Sequence, residues 1–282
     1  MIPKRMYFFW SGNILSWMRY MTLYSFRKFN PDWEMVLCLS QKNTKVADWN
    51  THEVQDFFNY SGASYFDKLT ELNIIIEQVE FPKEFKMSIT NPVHESDLYR
   101  YYKLYNDGGF YSDMDILYFR SMSDFYNEVI TNNFDTIIHS CPSYAAIGFL
   151  GAQKDNIFYK ELMMLALSSV ANKSYQLFGV ELIYKFCGVE RTGAGLVGDI
   201  IKNKYNNLNI RNIDSCLVYQ YDCDNIRTAF DNSFGVNDFD SKAIGYHWYA
   251  GSHISQGYNK LLNETNFTNH KITFSELVKG IL

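Results

Sequence analysis

Two aspartates separated by one residue, Asp113 and Asp115, are the side chains of this sequence best suited to hold a metal ion. Strand-like runs at residues 110–112 and 116–119 predict that the pair lies at the end of a buried strand. Alternate side chains of an extended backbone share one face, so both carboxylates would point at one ion. Mg²⁺ or Mn²⁺ would offset the cost of burying them and keep positions open for a phosphate. The spacing alone also fits two exposed aspartates in a solvated turn.

A second pair of charged residues, Asp97 and Arg100, precedes the aspartates in a segment with helical periodicity. Residues 94–107 predict a helix that Gly108 and Gly109 terminate. Positions i and i+3 lie on one face of a helix, so the two side chains would be neighbours. Taken alone, this spacing favours an ordinary surface ion pair, which contributes little to stability.

The elements around these residues alternate between strands and helices, which predicts an α/β protein with a parallel sheet covered by helices. Strands are predicted at residues 5–10, 34–39, 73–79, 110–112, 116–119, 135–140, 146–152 and 243–249. Helices are predicted at residues 15–29, 63–72, 94–107, 156–170, 174–187 and 195–204, and residues 274–282 form a short amphipathic segment. No repeat or linker interrupts the chain, so we expect residues 1–282 to form a single domain with an irregular C-terminal part.

Composition narrows the function classes. The net charge of the 282-residue chain is -5 and no basic run exceeds two residues, so we expect no nucleic-acid partner. The five cysteines have no metal-site spacing, which fits a reducing cytosol. The sequence has neither the apolar segment of a signal peptide nor a stretch that would span a bilayer. We therefore expect a cytoplasmic protein, at most peripherally associated with the inner face of the membrane.

The two charged pairs belong to one longer pattern: Ser-Asp-x-x-Arg at residues 96–100, then Leu104, then Gly-Gly-x-Tyr-x-Asp-x-Asp at residues 108–115. This composite resembles the sugar-binding Asp-x-Asp region of glycosyltransferase family 32. That family includes bacterial capsule and polysaccharide transferases, yeast mannosyltransferases and, by shared pattern, the glucosylating domains of large clostridial toxins. The resemblance favours a donor-binding role for Asp97 and Arg100 over a surface ion pair.

Shorter segments extend the resemblance. Residues 2–13 are similar to the family's opening strand, whose tryptophan or its neighbours lie beside the nucleotide base; Trp10 matches, flanked by Phe9 and Ser11. Residues 192–195 are similar to a family turn, with an ordinary turn as the alternative. Residues 245–253 resemble a segment that supplies a further metal or phosphate ligand. The candidates there are His247, His253 and Ser252. The sequence departs from the family pattern at His253, which stands where tryptophan is usual. A histidine packed in the core is the alternative for His247.

The resemblance implies a GT-A fold, which is a Rossmann-like mixed sheet flanked by helices. Residues 1–120 would bind the nucleotide sugar, and residues 121–282 would hold the acceptor and the C-terminal metal- or phosphate-contacting segment. It implies that Asp115 binds the metal directly, and that Asp113 contacts the ribose or sugar and the metal through water. Asp97 and Arg100 would bind donor sugar hydroxyls. Tyr111 belongs to the same donor-binding motif.

The activity implied is a retaining, metal-dependent hexosyltransferase. The cofactors would be Mn²⁺ or Mg²⁺ and a nucleotide-sugar donor, with UDP favoured over GDP. The acceptor would be a glycan or a lipid-linked glycan of a bacterial surface polysaccharide, such as capsule or O-antigen. Two alternatives remain open: a protein of the same fold that binds a sugar or nucleotide without turnover, and a phosphohydrolase that uses Asp-x-Asp.

Overall fold

A seven-stranded sheet and a separate two-stranded ribbon form the framework of the computed structural model, which describes residues 1–40, 60, 62–82, 92–141, 144–171, 180–188 and 197–282. The strands are β1 Arg5–Trp10, β2 Glu34–Leu39, β3 Ile75–Gln78, β4 Gly109–Ser112, β5 Ile116–Tyr118, β6 Thr136–Cys141, β7 Tyr144–Ala152, β8 Ile210–Ile213 and β9 Gly245–His247. The helices are α1 Trp17–Phe29, α2 Pro92–Asn106, α3 Ser123–Thr131, α4 Ile157–Ala171, α5 Val180–Cys187, α6 Val197–Lys204, α7 Arg227–Asp231, α8 His253–Leu261 and α9 Thr273–Ile281.

The large sheet has the strand order β3-β2-β1-β4-β7-β6-β8. Strands β1 to β4 are mutually parallel, β7 runs antiparallel to both β4 and β6, and β8 is parallel to β6. The carboxyl ends of six strands therefore meet at one edge, where open α/β sheets bind their ligands. The prediction of a Rossmann-like mixed sheet flanked by helices is confirmed. The residue pattern had suggested parallel pairing, and β7 is the antiparallel exception.

Two cores cover the two faces of the sheet, as the period-2 alternation of buried strands requires. In β1, Met6, Phe8 and Trp10 face one core, whereas Tyr7 and Phe9 face the other. Helices α1, α3, α7 and α9 contribute side chains to the first core, and α2, α4, α5 and α6 contribute to the second. The result is a three-layer arrangement that fixes the ends of β1 and β4 side by side.

The two-stranded ribbon carries the C-terminal part of the chain to the Asp-x-Asp motif. β5 pairs antiparallel with β9, and Ile116 lies opposite His247 in the register. The peptide N–H of Trp248 donates to the carbonyl oxygen of Asp115 at 2.9 Å. This pairing explains how a histidine more than 130 residues away in sequence reaches the aspartates.

Helix α2 ends where the glycines predict. Both Gly108 and Gly109 have positive φ angles, at 67° and 117°, which glycine adopts without steric cost. The chain also passes very close to β1 here, since a Cβ on Gly109 would lie 2.9 Å from the carbonyl oxygen of Arg5. The two glycines therefore turn the chain directly from α2 into β4, which leads to the aspartates.

Several local predictions need correction. The aspartates do not lie on extended backbone: β4 ends at Ser112, and Met114 and Asp115 form a turn before β5. The segment predicted as a helix at 63–72 is a 3₁₀ helix, Phe66–Leu72, and the strand predicted at 243–249 is only β9. Helices α3, α7 and α8 and strand β8 were not predicted. The turn at 192–195 and the start of the helix predicted at 174–187 lie outside the described residues.

Within those described ranges, no helix combines the length and the apolar character that a membrane span needs.

Candidate functional site

Asp113, Asp115 and His247 form a cluster at the carboxyl edge of the sheet. Each offers one ligand atom, and these atoms all lie within 4.8 Å of one another. The His247 Nε2 is 3.2 Å from Asp115 Oδ1 and 3.9 Å from Asp113 Oδ2. Asp115 and His247 are buried, whereas the Asp113 side chain is 28% exposed. The group therefore has a closed inner side and an open side at Asp113.

The donor set suits a divalent cation. Two carboxylate oxygens and an imidazole nitrogen are ligands that Mn²⁺ and Mg²⁺ sites use, and the carboxylates suit hard cations best. The second carboxylate oxygen of Asp115 accepts a hydrogen bond from the Ala250 N–H at 2.8 Å, which fixes the orientation of the carboxylate. Among the described residues, His247 Nδ1 is buried without a hydrogen-bond partner. The residues present therefore fit a metal ion held by Asp113, Asp115 and His247.

The side chains of the cluster shift one another's pKa values. Burial alone would raise the pKa of Asp115, but the His247 ring, the Arg19 charge and the Ala250 N–H bring it below its usual value. Burial likewise opposes ionisation of Asp113, but Arg100 and His247 lower its pKa. Burial would lower the pKa of His247, and the two carboxylates instead raise it to about 9. Both aspartates are thus carboxylates at neutral pH.

Asp97 and Arg100 are buried on α2, so the surface ion-pair interpretation is wrong. The side chains are only 3% and 4% exposed, and Arg100 Nη2 lies 3.0 Å from Asp97 Oδ1. The same nitrogen lies 3.3 Å from Asp113 Oδ1. Arg100 Nη1 donates to the Ile147 carbonyl oxygen on β7 at 2.8 Å. One arginine therefore connects the α2 carboxylate to the first aspartate of the motif.

Tyr111 completes this buried network. Its ring centroid is 4.3 Å from the guanidinium carbon of Arg100, and its hydroxyl donates to Asp113 Oδ1 at 3.1 Å. The hydroxyl is also 2.8 Å from the Ser96 Oγ. Burial is the main reason why the pKa of Tyr111 is raised well above its ordinary value, so the hydroxyl stays protonated and donates. The motif residues Asp97, Arg100, Tyr111 and Asp113 are therefore one connected unit.

Phe9, Trp10 and Ser11 lie at the carboxyl end of β1, on the same edge of the sheet. Phe9 packs against Tyr99, with ring centroids 5.6 Å apart, and Ser11 is buried. The Trp10 indole N–H donates to the Ile14 carbonyl oxygen at 3.1 Å, and the Arg19 guanidinium carbon lies 5.1 Å from its ring centroid. Trp10 is thus held on one side by protein groups, and a role beside the nucleotide base stays a prediction.

The remaining C-terminal candidates, Ser252 and His253, lie at the start of α8. Ser252 is the N-cap of α8: its Oγ accepts from the Ser255 N–H at 3.3 Å and lies 2.7 Å from the Ser255 Oγ. His253 begins α8 on the exposed side and is not one of the clustered ligands. The structure therefore brings His247, rather than His253, to the aspartates.

Gly148 on β7 is a site residue that sequence reasoning missed. Its carbonyl oxygen accepts from the Asp113 N–H at 2.7 Å. A Cβ added at Gly148 would lie 2.6 Å from Asp113 Oδ2 and 3.2 Å from the Tyr219 hydroxyl. Asp113 Oδ1 is already held by Tyr111 and Arg100. Only a residue without a side chain at position 148 leaves the second oxygen where it can meet His247 and an ion.

We expect Gly148→Ala to lower metal-dependent turnover about 100-fold, because the added methyl group displaces the Asp113 carboxylate by a large fraction of an ångström. The fold should survive, since the displaced atoms are the end of one side chain. Steady-state kinetics at several Mn²⁺ concentrations would measure the effect. Gly257→Ala on α8, where no atom lies within 4 Å of the added carbon, is the matched control and should leave turnover unchanged. Equal turnover of both variants would contradict the placement of Asp113.

Comparisons with known proteins agree with this site. Residues 16–139 match the family model "Glycosyltransferase sugar-binding region containing DXD motif". That range includes α1, the whole Asp97–Asp115 motif and β4, and it ends before β9. No curated protein matches the chain.

Solved structures show weaker likeness. The PaToxG glycosyltransferase is 14% identical with a TM-score of 0.47, covering 73% of this chain and 70% of that one. The ligand-free glycosyltransferase domain of the YGT toxin is 12% identical with a TM-score of 0.44, covering 76% and 80%. The glycosyltransferase GlyE of Streptococcus pneumoniae TIGR4 is 12% identical with a TM-score of 0.44, covering 100% of this chain and 61% of that one.

The assignment depends on the family model and on the motif that it spans, rather than on these low-identity structures. The resemblance stated from the sequence is confirmed over residues 16–139. Residues 16–139 thus carry a glycosyltransferase sugar-binding region with its Asp-x-Asp motif, and this region gives the enzyme class, a glycosyltransferase.

Proposed function

We propose that this glycosyltransferase binds a divalent cation, Mn²⁺ or Mg²⁺, and a nucleoside diphosphate sugar, with UDP favoured over GDP. It transfers the sugar to a glycan acceptor with retention of anomeric configuration. The observation that carries the proposal is the Asp113, Asp115 and His247 cluster at the carboxyl edge of the sheet. Retention and the preference for UDP follow the family resemblance.

The metal ligands are Asp115, Asp113 and His247. Asp115 is the inner ligand, since it is buried and oriented by the Ala250 N–H. Asp113 lies at the open side, where it can contact the ion, the ribose or the sugar. When bound, the metal ion would neutralise charge on the diphosphate leaving group.

Asp97 and Arg100 orient the donor sugar through its hydroxyl groups. Arg100 is held by Asp97, Asp113 and the Ile147 carbonyl oxygen, so its position is fixed before a donor arrives. A carboxylate held by a fixed arginine is a preorganised acceptor for a sugar hydroxyl, which avoids an ordering cost on binding. Tyr111 maintains this arrangement by its hydrogen bond to Asp113.

In the transfer step, the bond between the anomeric carbon and the phosphate oxygen breaks with both electrons moving to that oxygen. An acceptor hydroxyl oxygen forms the new bond to the anomeric carbon on the same face. Its proton passes to the departing phosphate, so no dedicated general base is needed. The fixed side chains hold the donor in one orientation, which lowers the entropic part of the barrier.

The rest of the chain completes the proposal. Phe9, Trp10 and Ser11 line the base subsite, residues 1–120 bind the donor, and residues 121–282 hold the acceptor within a single catalytic domain. Ser252 assists at the phosphate, where the start of α8 adds a favourable dipole. The acceptor is a glycan or lipid-linked glycan of a bacterial surface polysaccharide. The protein acts in the cytoplasm at the inner face of the membrane.

Donor hydrolysis in the absence of an acceptor tests the proposal. The protein with Mn²⁺ is incubated with a panel of UDP- and GDP-sugars, with EDTA as the metal-free arm. We expect slow, Mn²⁺-dependent release of one nucleotide from one donor. NMR spectra recorded during the reaction should show that the sugar released first has the same anomeric configuration as in the donor.

The other outcomes separate the alternatives. Metal-dependent binding of a donor without turnover, even with candidate acceptors, would favour a binding protein of the same fold. Release of phosphate from simple phosphomonoesters would favour the phosphohydrolase alternative. Failure to bind any nucleotide with Mn²⁺ would contradict the proposed function.

A further inference from the structure

Arg19 is a buried arginine beside the metal cluster that neither the motif nor the family match assigns to a role. It lies in the first turn of α1 and is only 7% exposed. Its guanidinium carbon is 5.1 Å from the ring centroid of Trp10 and 5.1 Å from that of Trp248. The guanidinium therefore lies within cation–π distance of two indole rings from distant parts of the sequence.

No acidic side chain in the described ranges neutralises this charge. Within those ranges, Arg19 forms no ion pair, its side chain donates no hydrogen bond, and its Nε is buried without a partner. The buried Arg100, by contrast, has two carboxylates and a carbonyl oxygen. An unpaired buried charge is costly, and stacking on aromatic rings offsets only part of that cost. The position is therefore suited to an anion that arrives from outside the chain.

An anion bound by Arg19 would lie next to the metal ligands. Trp248 directly follows His247, and the peptide N–H of Trp248 donates to the Asp115 carbonyl oxygen at 2.9 Å. Trp10 ends β1 at the carboxyl edge of the sheet. Arg19 thus borders the cluster on the β1 side.

The start of α1 adds to the positive potential. This 13-residue helix begins at the carboxyl edge with Ser16 as its N-cap, and its first turn contains no acidic residue. Peptide N–H groups at a helix N-terminus attract anions, and phosphate groups most of all. The unpaired charge of Arg19 and the N-terminus of α1 are independent observations, and both indicate an anionic ligand such as a phosphate.

We propose that Arg19 binds a phosphate oxygen of the nucleoside diphosphate, as a second cationic contact beside the metal ion. This inference rests on the proposed function, since it names a further residue for the same donor. A planar guanidinium forms two parallel hydrogen bonds to a phosphate, and the two nearby indole rings restrict the movement of the Arg19 side chain. Its positive charge stabilises the charge that develops on the phosphate as the sugar leaves.

Binding of nucleotides without metal isolates this contact. Calorimetric titrations in EDTA measure the affinities of the wild type and of Arg19→Met. The ligands are UDP, UMP and uridine in one series, and GDP and guanosine in the other. We expect Arg19→Met to weaken binding of the diphosphate about 10- to 100-fold, the loss of a hydrogen bond to a charged group. Uridine affinity should change less than about twofold, because the nucleoside has no phosphate to contact Arg19. Arg19→Lys, which keeps the charge but not the planar fork, should give an intermediate loss and also checks that the fold tolerates changes here.

An unchanged ratio of UDP to uridine affinity in Arg19→Met would overturn the inference while leaving the proposed function intact. If the wild type binds neither UDP nor GDP with Mn²⁺, the proposed function fails. Inorganic pyrophosphate then decides the fate of Arg19. Pyrophosphate binding in EDTA that Arg19→Met abolishes would support the anion site by itself, and no binding by the wild type would overturn it.

Discussion

Replacing Asp115 with asparagine is expected to lower metal-dependent donor hydrolysis by about 10²- to 10³-fold, the scale of losing one preorganised electrostatic contact to a transition state. Asparagine keeps the size of the side chain and its acceptor for the Ala250 N–H, but it removes the charge. The rate of nucleotide release with saturating Mn²⁺ measures the effect.

A readout without turnover accompanies this prediction. A metal ion that binds only the folded protein raises the free energy of unfolding by about 2.7 kcal/mol at 100 times its dissociation constant. Mn²⁺ should therefore raise the melting temperature of the wild type by roughly 5–10 °C, and that of Asp115→Asn by much less. Asp231→Asn, at an exposed position on α7, is the control and should behave as the wild type. Equal Mn²⁺ stabilisation of Asp115→Asn and the wild type would show that the ion binds elsewhere.

Replacing Arg100 with methionine should be among the most destabilising single changes, lowering the free energy of unfolding by about 3–5 kcal/mol. The substitution leaves Asp97 buried without its cation and removes the charge that holds Asp113. Urea denaturation followed by circular dichroism measures the loss, and donor hydrolysis should fall at the same time because the sugar-orienting groups are released.

The matched control is Arg227→Met on α7. Arg227 also forms an ion pair one helical turn away, with Asp231, but its side chain is 74% exposed, so we expect a change of about 0–1 kcal/mol. The double variant Asp97→Asn/Arg100→Met should recover part of the loss, since it removes the uncompensated carboxylate. If Arg100→Met cost no more than Arg227→Met, the buried network would not stabilise the fold as described.

The sequence predicts well those elements that carry their own signals. β1 and β2 were predicted to the residue, because apolar runs stop at turn residues on both sides. α2 and its glycine terminus followed from helical periodicity and from the need for positive φ. β8 was missed because its sequence Ile-Arg-Asn-Ile is half polar and pairs only through tertiary context. α8 was missed because few of its residues are apolar.

The residues of the site likewise divide into those with a local sequence signal and those without one. Asp113 and Asp115 stand out because Asp-x-Asp sits in a composite pattern, and Asp97 and Arg100 gained their significance from it. Arg19 has no local signal, since an arginine in an amphipathic helix is usually solvated. Its environment arises only when the fold brings Trp10 and Trp248 close to its guanidinium. A glycine within a strand is a weak signal of close approach, and Gly148 shows its partner only once β4 and β7 are paired.

The most direct test of the metal site is the position of the ion itself. Crystals grown with Mn²⁺ and UDP, measured at the manganese absorption edge, locate the ion by its anomalous scattering. We predict one peak bounded by Asp115, Asp113 and His247, with the diphosphate of UDP on the open side of Asp113. A manganese peak elsewhere, with these three side chains bound only to one another, would contradict the assignment of the metal site and the mechanism that depends on it.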